Sequence, residues 1–332
     1  TIDKTSTALA LDGADFTGHG VSASSNNPLI GVVSASLANT DSLTISGSTF
    51  KNNTISVTTT SGNSAGIVAI RAVNDGKVAI SGTSFESNTF KVTGTDANGA
   101  YGGAVGIQNA DVQLTNVSFS KNSAASGRQV QGGAYYQSVG TIKASTITLA
   151  ENNVNATGNV TGGGISLWGV SGALEQAIFT NNIAISSDEK NGTYGGALYV
   201  RGARWGGDAN LKLAIENSSF SDNTVTATGS NGAGAYGGAL YVKGDALTLR
   251  EKTSTDEKNG KIAVNLTDVS FTKNSAHAAS GSAYGGAVYA LDSPLSFTYT
   301  KNTAITGNTV SGQTAQGGFL YLDHNEKSGA GL

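Results

Sequence analysis

Tyr194-Gly195-Gly196-Ala197-Leu198-Tyr199-Val200 is the stretch that decides the fold, because copies of it recur along most of the chain. Close copies occupy residues 236–242 and 284–290. Looser copies of the Gly-Gly pair begin at Gly102, Gly132, Gly162 and Gly317, and single glycines at Gly31 and Gly66 hold the same place near the start. A unit that repeats from end to end indicates an elongated solenoid, in which each unit packs on its neighbours.

A second motif, Phe-x-x-Asn, alternates with the first. Its six strict copies are Phe50/Asn53, Phe85/Asn88, Phe119/Asn122, Phe179/Asn182, Phe220/Asn223 and Phe271/Asn274. Leu149/Asn152 and Tyr299/Asn302 take the two places where a strict copy is missing, and Phe16/His19 is a worn first copy. Counted this way, both motifs occur nine times in alternation, which predicts nine structural coils.

The composition excludes several classes of protein. A net charge of −3 and a pI near 5.6 give no basic surface for a nucleic acid. Without cysteine there can be no disulfide and no thiolate metal site. No apolar run approaches the roughly 18 residues of a membrane helix. Only 13% of the residues are charged, so Ser, Thr, Asn and Gly must supply the polar surface. We predict no cofactor, no bound metal and no catalytic residue.

The local pattern predicts strands. Apolar residues two positions apart precede each Phe, as in Leu43/Ile45 and Val78/Ile80, which is typical of a strand with one buried face. A second strand follows the Asn, and a third follows the Gly-Gly pair. Three strands per unit without helical periodicity predict an all-β fold, a right-handed parallel β-helix of about nine coils. We expect the Phe rings to stack inside, the Asn amides to form a ladder at a bend where Asn tolerates left-handed dihedrals, and the glycines to form a tight corner.

We interpret residues 1–332 as one β-helical unit. Residues 1–60 are the least regular and are expected to be capping coils. The spacing between motifs grows after Gly195 and again after Gly237, which predicts projecting loops at about 201–210 and 244–261. Because the chain starts at Thr1 and stops just after a good turn and strand, we expect a fragment of a longer precursor that continues beyond Leu332.

The strand after the Gly-Gly pair also indicates a binding surface. Its apolar residues, such as Leu198 and Val200, are expected to point inwards, so the residues between them point outwards. These outward residues include Tyr199, Tyr241, Tyr289 and Tyr321, which would form an exposed stripe across consecutive coils. Exposed aromatic patches are typical of protein interfaces. The predicted receptor-facing residues are therefore these four tyrosines together with Arg204, Trp205 and Lys243 on the adjacent segments.

The alternation of the two motifs resembles the chlamydial polymorphic membrane protein family. The matching positions are the six Phe/Asn pairs above and the four Gly-Gly-Ala copies that are followed by Leu or Val, which are Gly102-Gly103-Ala104, Gly195-Gly196-Ala197, Gly237-Gly238-Ala239 and Gly285-Gly286-Ala287. The resemblance implies an autotransporter, with a signal peptide and a C-terminal outer-membrane barrel outside this sequence. It also implies a passenger displayed on the bacterial surface or released from it, adhesion to a host-cell receptor, and a capacity for self-association. It links the motif residues to that adhesion, and membrane contact would occur only through the barrel.

Two other functions compete with adhesion. Parallel β-helices often carry polysaccharide lyases and glycoside hydrolases, and Asp245, Asp292 and Asp323 follow the Gly-Gly strand at nearly equal offsets in three neighbouring coils. Carboxylates placed together could bind Ca²⁺ or act as an acid/base pair. Alternatively, the rod could be a surface scaffold that binds nothing. On either of these alternatives the tyrosine stripe would have no receptor.

Overall fold

The computed structural model of the chain describes residues 8–24, 30–38, 41–58, 63–94, 99–202, 210–244 and 261–324. These residues form strands and turns, with no helix among them. Every strand pair is parallel, as in β1 with β5 when the strands are numbered along the chain. The predicted all-β parallel solenoid is therefore confirmed, while its right-handed course stays a prediction.

Most strands are short, and the four longer ones each join segments that form separate strands in other coils. The first group is β1 Ala8–Asp12, β2 Asp15–Thr17, β3 Gly20–Ser24, β4 Val33–Leu37, β5 Ser42–Ser46, β6 Thr49–Lys51, β7 Thr54–Thr58, β8 Asn63–Ala65, β9 Val68–Ser81, β10 Ser84–Glu86, β11 Thr89–Thr93 and β12 Gly99–Tyr101. The middle group is β13 Val105–Ser120, β14 Ser123–Ser126, β15 Gln129–Gln131, β16 Tyr135–Ala150, β17 Asn153–Ala156, β18 Asn159–Thr161, β19 Ile165–Glu175, β20 Ile178–Thr180, β21 Ile183–Ser186, β22 Thr193–Tyr194, β23 Leu198–Arg201 and β24 Asn210–Glu216. The last group is β25 Ser219–Ser221, β26 Thr224–Ala227, β27 Ala235–Tyr236, β28 Leu240–Lys243, β29 Lys261–Thr267, β30 Ser270–Thr272, β31 Ser275–Ala278, β32 Ser282–Tyr284, β33 Val288–Leu291, β34 Leu295–Thr298, β35 Ile305–Thr306, β36 Thr309–Ser311, β37 Thr314–Gln316 and β38 Leu320–Asp323.

Three parallel sheets run along the rod. The nine-stranded sheet contains the strands that follow each Asn, β3-β7-β11-β14-β17-β21-β26-β31-β36. The eight-stranded sheet contains short strands just before each Gly-Gly turn, β8-β12-β15-β18-β22-β27-β32-β37. The third sheet, called the long sheet, contains the remaining 21 strands. It is the largest because the strand after the Gly pair and the strand before the Phe both belong to it. With nine strands on one wall and eight on another, the described residues make about eight turns rather than nine. The short strand before the Gly pair is an element that the sequence pattern did not predict.

The Phe residues stack inside the rod as predicted. Phe50, Phe85 and Phe119 are completely buried, and the centroids of neighbouring rings lie 4.9 and 5.0 Å apart with planes within 10°. Phe16 begins the column at 4.6 Å from Phe50. Leu149 interrupts it, and stacking resumes from Phe179 to Phe220 at 4.5 Å and from Phe220 to Phe271 at 5.1 Å. Each ring contributes about 2–3 kcal/mol of burial free energy, with a smaller term from ring stacking.

The Asn residues form the predicted amide ladder. Asn182 shows the pattern: its Nδ2 donates to Oδ1 of Asn223 at 3.0 Å and to the carbonyl of Leu149 at 2.9 Å. Its own Oδ1 accepts from the backbone N–H and the Nδ2 of Asn152, at 3.2 and 3.0 Å. The same side-chain contact links seven consecutive pairs, from Asn53–Asn88 to Asn274–Asn308. The buried amides therefore have their donors and acceptors paired, as low-dielectric surroundings require.

Two details of this corner correct the sequence predictions. The left-handed residue is the one before each Asn, such as Asn181 (φ 53°) and Asp222 (φ 56°), and not the Asn itself.

The ninth motif copy is Ile305/Asn308, since Ile305 pairs with Phe271 and Asn308 accepts from Asn274 at 3.0 Å. The prediction of Tyr299/Asn302 was wrong because both side chains are exposed there. An Ile occupies the aromatic position, so the strict pattern concealed the true copy.

The Gly-Gly corner is required sterically at both residues. The first glycine has a positive φ, for example 65° at Gly195, which disfavours any residue with a Cβ. A Cβ on the second, Gly196, would lie 2.1 Å from the carbonyl oxygen of Gly238 in the next coil. The following Ala197 is fully buried. The Gly-Gly-Ala motif therefore lets successive coils approach closely at this corner, where larger residues would collide with the backbone.

The extra residues of the two long repeats are each inserted at one point in the wall of the rod. Lys243 pairs with Arg201, which pairs with Trp168, and Ile262 pairs with Leu211. In the coil of Trp168 these two wall positions are joined directly, through Gly169. Residues 203–209 and 245–260, which contain most of the two predicted loops, lie outside the described residues. The wall is thus continuous on both sides of each insertion.

The first coils are more regular than the sequence suggests. β1 and β2 pair with β5 and β6 in the same register as the later coils, and β3 pairs with β7. Their inward residues, such as Leu9 and Phe16, are only partly buried, and each of these strands has a neighbouring coil on one side among the described residues. The last coil behaves likewise, with Leu322 61% exposed although its column points into the core.

Candidate functional site

The outer corner between the strands before and after each Gly-Gly turn collects most tyrosines of the chain. Two columns meet there. The strand before the turn supplies Tyr194, Tyr236 and Tyr284, which are register partners. The strand after the turn supplies Tyr199, Tyr241, Tyr289 and Tyr321, which are also register partners. We call these seven side chains the tyrosine corner.

The rings of the tyrosine corner pack against one another within and between columns. Tyr199, Tyr241 and Tyr289 stack with centroids 5.3 and 5.1 Å apart and planes within 5°. Tyr194 stands edge-on to Tyr241 at 4.9 Å, and Tyr236 stands edge-on to Tyr289 at 5.2 Å. These rings form an apolar cluster separate from the main core. The corner is therefore a second packed layer on the outside of the rod.

The predicted exposure of the stripe was wrong for three of its four members. Tyr199, Tyr241 and Tyr289 do point outwards, but they are 6%, 2% and 3% exposed. The physical reason is the unpredicted strand before the Gly pair, whose tyrosines lie over them. Tyr321 in the last coil is half-buried. The accessible aromatic surface instead consists of Tyr194, Tyr236, Tyr284 and Tyr321, all half-buried.

Burial raises the pKa of several phenols of the corner. It raises the pKa of Tyr194 to about 12, with a smaller contribution from Tyr236 beside it. Burial likewise raises the pKa of Tyr241 well above its ordinary value of 10.0. The pKa of Tyr289 is raised by burial and by the hydrogen bond that its hydroxyl donates to Oδ2 of Asp323, at 2.7 Å. At neutral pH the corner thus presents uncharged rings and hydroxyls.

The tyrosine columns are interrupted in the middle of the rod. The coil of β18 and β19 carries Thr161 and Ser166 at the two tyrosine positions, and their hydroxyls lie 3.3 Å apart. Beyond it Tyr101 and Tyr136 form a smaller pair at 4.9 Å. The strands keep their register through this coil without any tyrosine. The corner tyrosines are therefore not needed to hold the walls together.

Cationic and indole side chains border the tyrosine corner. The guanidinium carbon of Arg201 lies 4.6 Å from the ring centroid of Trp168, a cation–π contact. Lys243 occupies the register position after Arg201 and is half-buried. Of the other predicted receptor-facing residues, Arg204 and Trp205 lie outside the described residues. Neither Arg201 nor Trp168 was singled out from the sequence, because their contact spans two coils.

Two of the three acidic residues of the enzyme alternative, Asp292 and Asp323, lie in the described part of the chain. Asp323 is the register partner of Leu291, whereas Asp292 is one position further along, so the two do not align. Asp323 accepts from Tyr289, and Asp292 pairs with His324 at 3.0 Å. Asp245 lies outside the described residues. Among the residues that the structure describes, no three His, Asp or Glu side chains could share a metal ion. The enzyme alternative stays a prediction.

The family motif positions lie inside the rod. The aromatic residues of the six strict copies are all fully buried, namely Phe50, Phe85, Phe119, Phe179, Phe220 and Phe271. Their amide partners are fully buried as well, namely Asn53, Asn88, Asn122, Asn182, Asn223 and Asn274. The same holds for the motif alanines Ala104, Ala197, Ala239 and Ala287. The paired glycines have no side chain, and a Cβ on the first would meet the backbone of its own turn while a Cβ on the second would meet the backbone of the next coil.

Asn122 shows why these positions cannot contact a receptor in the folded rod. Its Nδ2 donates to Oδ1 of Asn152 at 3.0 Å and to the carbonyl of Phe85 at 2.9 Å. Its Oδ1 accepts from the backbone N–H and the Nδ2 of Asn88, at 3.2 and 2.9 Å. With its hydrogen bonds made inside the rod and no surface exposed, Asn122 has nothing to offer a partner. In the folded rod the motif residues therefore shape the coils, and the link between the motif and adhesion stays a prediction.

Comparisons with protein-family models, with curated proteins and with solved structures found no match to this chain. Among the described residues there is also no helix long and apolar enough to cross a membrane.

Proposed function

We propose that this chain is the rod-shaped passenger of an autotransporter adhesin, displayed on a bacterial surface or released from it, that binds a protein on the host cell. Its resemblance to chlamydial polymorphic membrane proteins supports the adhesin part of the proposal. The paired motifs carry that resemblance, and they extend over almost the whole chain. Self-association of such rods is part of the same proposal.

The tyrosine corner is the observation that carries the proposal. It is an aromatic layer outside the core, and the coil of Thr161 and Ser166 keeps its strands without one. Tyrosine offers a rigid apolar body with a polar tip, and it is enriched in protein interfaces. The half-buried edges of Tyr194, Tyr236 and Tyr284 would make the contact, while the stacked rings beneath would hold them rigid. A preorganised aromatic surface loses little conformational entropy on binding.

On this proposal the motif residues act only through folding. Buried Phe, Asn and Gly residues cannot touch a receptor, so changing them would weaken adhesion to the extent that it distorts the coil. Outward residues can instead be changed at little cost to the core. The two classes of variant therefore separate recognition from stability.

The test is host-cell binding by the double variant Tyr236→Ser/Tyr284→Ser. Removing two rings at an interface should reduce affinity at least about ten-fold, because each aromatic hot spot contributes about 2 kcal/mol or more. Thermal melting of each sample must first show a folded rod. Ile178→Ser is the matched control, since Ile178 is an exposed apolar residue on the long sheet (46% exposed).

Three results would contradict the proposal. Wild-type protein that fails to bind host cells would leave the rod a scaffold. Normal binding by the folded tyrosine variant would show that the contact lies elsewhere. Loss of binding in a folded Asn182→Ser variant with an intact corner would point to the motif itself as the recognition element.

A further inference from the structure

The outer face of the nine-stranded sheet carries rows of mostly small polar side chains, with Lys91, Ile183 and Ile185 as larger members. They contact one another from coil to coil, as the hydroxyls of Thr58 and Thr93 do at 3.2 Å and those of Thr224 and Ser275 at 3.1 Å. Such rows make a flat, hydrated surface with no obvious place for a ligand. The rows are interrupted at Ala125, where the surface is recessed.

At β14 the outward side chains are missing or minimal. Ala125 pairs with Lys91 on one side and with Asn155 on the other, and Gly127 follows two residues later. A Cβ added to Gly127 would meet no atom within 4 Å. The result is a trough of about 350 Å³ with Ala125 and Gly127 on its floor, Lys91 and Thr93 along one wall, and Asn155 and Thr157 along the other. Its volume falls within the range of small-molecule sites, about 300–1,000 Å³.

The width of the trough limits what can enter. Its walls belong to β11 and β17, which flank β14 and are therefore about 9.6 Å apart. A ring standing midway would lie about 4.8 Å from each strand, which allows ordinary contact for one saturated ring but not for two stacked rings. The trough is long enough along the strands to span two outward positions, from Lys91 to Thr93. A single sugar ring is of this size.

The chemistry of the walls narrows the ligand further. Lys91 is exposed, and among the described residues it forms no ion pair with a carboxylate. The opposite wall offers the amide of Asn155 and the hydroxyl of Thr157, which donates to the carbonyl of Gly127 and so retains its acceptor lone pairs. A bare anion would use the ammonium alone, and a neutral sugar would leave it without a partner. A ring with one carboxylate and several hydroxyls matches both walls.

We propose that this trough binds one carboxylated monosaccharide unit of a glycan, either a uronate or a sialic acid. The site lies on a different sheet from the tyrosine corner and does not depend on it. An open trough gives a weak affinity, with a Kd on the order of 1 mM. The site would therefore act together with other contacts along the rod.

The test is titration of the purified protein with glucuronate, N-acetylneuraminate, glucose and acetate, followed by NMR shifts of the Ala125 methyl group. We expect at least one of the two acidic sugars to bind at least about ten-fold more tightly than glucose or acetate. Either acidic sugar supports the proposal, and the comparison tells which glycan supplies it. Lys91→Gln should weaken binding about ten-fold, whereas Lys143→Gln, at an exposed lysine on the long sheet, should not.

Two plugging variants keep the proposal testable if one of them misfolds. Ala125→Leu and Gly127→Val both fill the floor, and a folded example of either should abolish the sugar-dependent shifts. Because Ala125 is replaced in the first variant, isothermal titration calorimetry supplies its readout. Equal binding of acetate and the acidic sugars, unchanged affinity in a folded plugged variant, or no binding at tens of millimolar would each overturn the proposal. None of these outcomes affects the Tyr236→Ser/Tyr284→Ser result, so the two proposals fail separately.

Discussion

Asn182 connects three coils through one side chain. Its amide donates to Leu149 and Asn223 and accepts from Asn152, all at 2.9–3.2 Å and without exposure to water. Loss of the side chain leaves buried donors and acceptors unpaired in neighbouring coils. Such groups cost more than the hydrogen bonds themselves contribute, because water cannot reach them.

We therefore predict that Asn182→Ala lowers the free energy of unfolding by about 3–5 kcal/mol. Chemical denaturation followed by circular dichroism measures it. The control is Asn302→Ala, at an exposed Asn that was mistaken for a ladder member, and its effect should stay within about 0.5 kcal/mol. Similar losses in both variants would mean that the ladder contributes little.

The Phe column gives a second prediction for single residues. Phe179 stacks on Phe220 at 4.5 Å and faces Leu149 on its other side, where the column already accepts an aliphatic side chain. Phe179→Ala should cost about 3–5 kcal/mol through lost burial and a residual cavity. Phe179→Leu should cost less than half as much, because it retains most of the volume. Denaturation of the two variants side by side checks the ratio, and equal losses would show that ring stacking, rather than volume, is essential.

At the scale of the element, the tyrosine corner makes stability depend on alkaline pH. Burial raises the pKa of Tyr194 in the corner to about 12, and it does the same for Tyr136 in the smaller pair with Tyr101, whereas an unfolded chain has tyrosines near 10.0. Above pH 10 the unfolded state therefore releases protons that the folded state retains. The stabilisation is fully present below pH 10 and is lost progressively as pH rises towards about 12.

We expect the denaturation midpoint to fall steeply between pH 10 and about 11.5, with tyrosinate absorbance rising together with unfolding. Tyr241→Phe keeps the ring and removes one ionisable group, so its midpoint should fall less steeply over the same range. Ionisation of Tyr194 near pH 10 in the still folded protein, measured as the tyrosinate absorbance that a Tyr194→Phe variant lacks, would contradict the assignment.

The tyrosine corner also shows what the sequence could and could not predict about an element. Period-two alternation correctly placed Leu198 and Val200 inside and Tyr199 outside. It could not predict whether that outside is covered, because coverage depends on the strand before the Gly pair, which has only two or three residues in each coil. A recurrent Tyr immediately before Gly-Gly, as in Tyr194, was the signal available for it. Alternation gives the side of a strand, while exposure depends on tertiary packing.

The whole molecule was predicted better than its surface. The Phe and Asn columns need side chains of matching kind in successive coils, so their repetition in the sequence determines the direction and register of stacking. Outward residues have no such requirement, and for that reason the sequence predicted exposed rings at Tyr199, Tyr241 and Tyr289, which are buried. The trough at Ala125 was missed because it arises from small side chains between larger ones on separate coils.

Continuity of the walls around the long insertion leads to a prediction for the whole rod. Gly244 and Ile262 occupy register positions that are directly joined in the coil of Trp168, as Gly169 and Val170, and again in the coil of Leu291. Deleting residues 245–261 should therefore keep the melting temperature within about 4 °C. Deleting residues 262–278, an equal length taken from the walls, should abolish the cooperative transition. A collapse after the first deletion would show that the insertion belongs to the folded core.

The Asn ladder has a consequence for inheritance. Asn152 and Asn182 occupy the same place in successive coils, joined by a 3.0 Å amide contact. Unequal crossing-over between the codons of Asn152 and Asn182 would remove one complete coil and join Asn152 directly to Ile183. The strand that normally follows Asn182 would then follow Asn152 at the equivalent position. The shorter product keeps a Phe-type column, an amide ladder and a Gly-Gly corner. Homologous genes are thus free to gain or lose whole coils, and we expect alleles that differ in length by multiples of one turn.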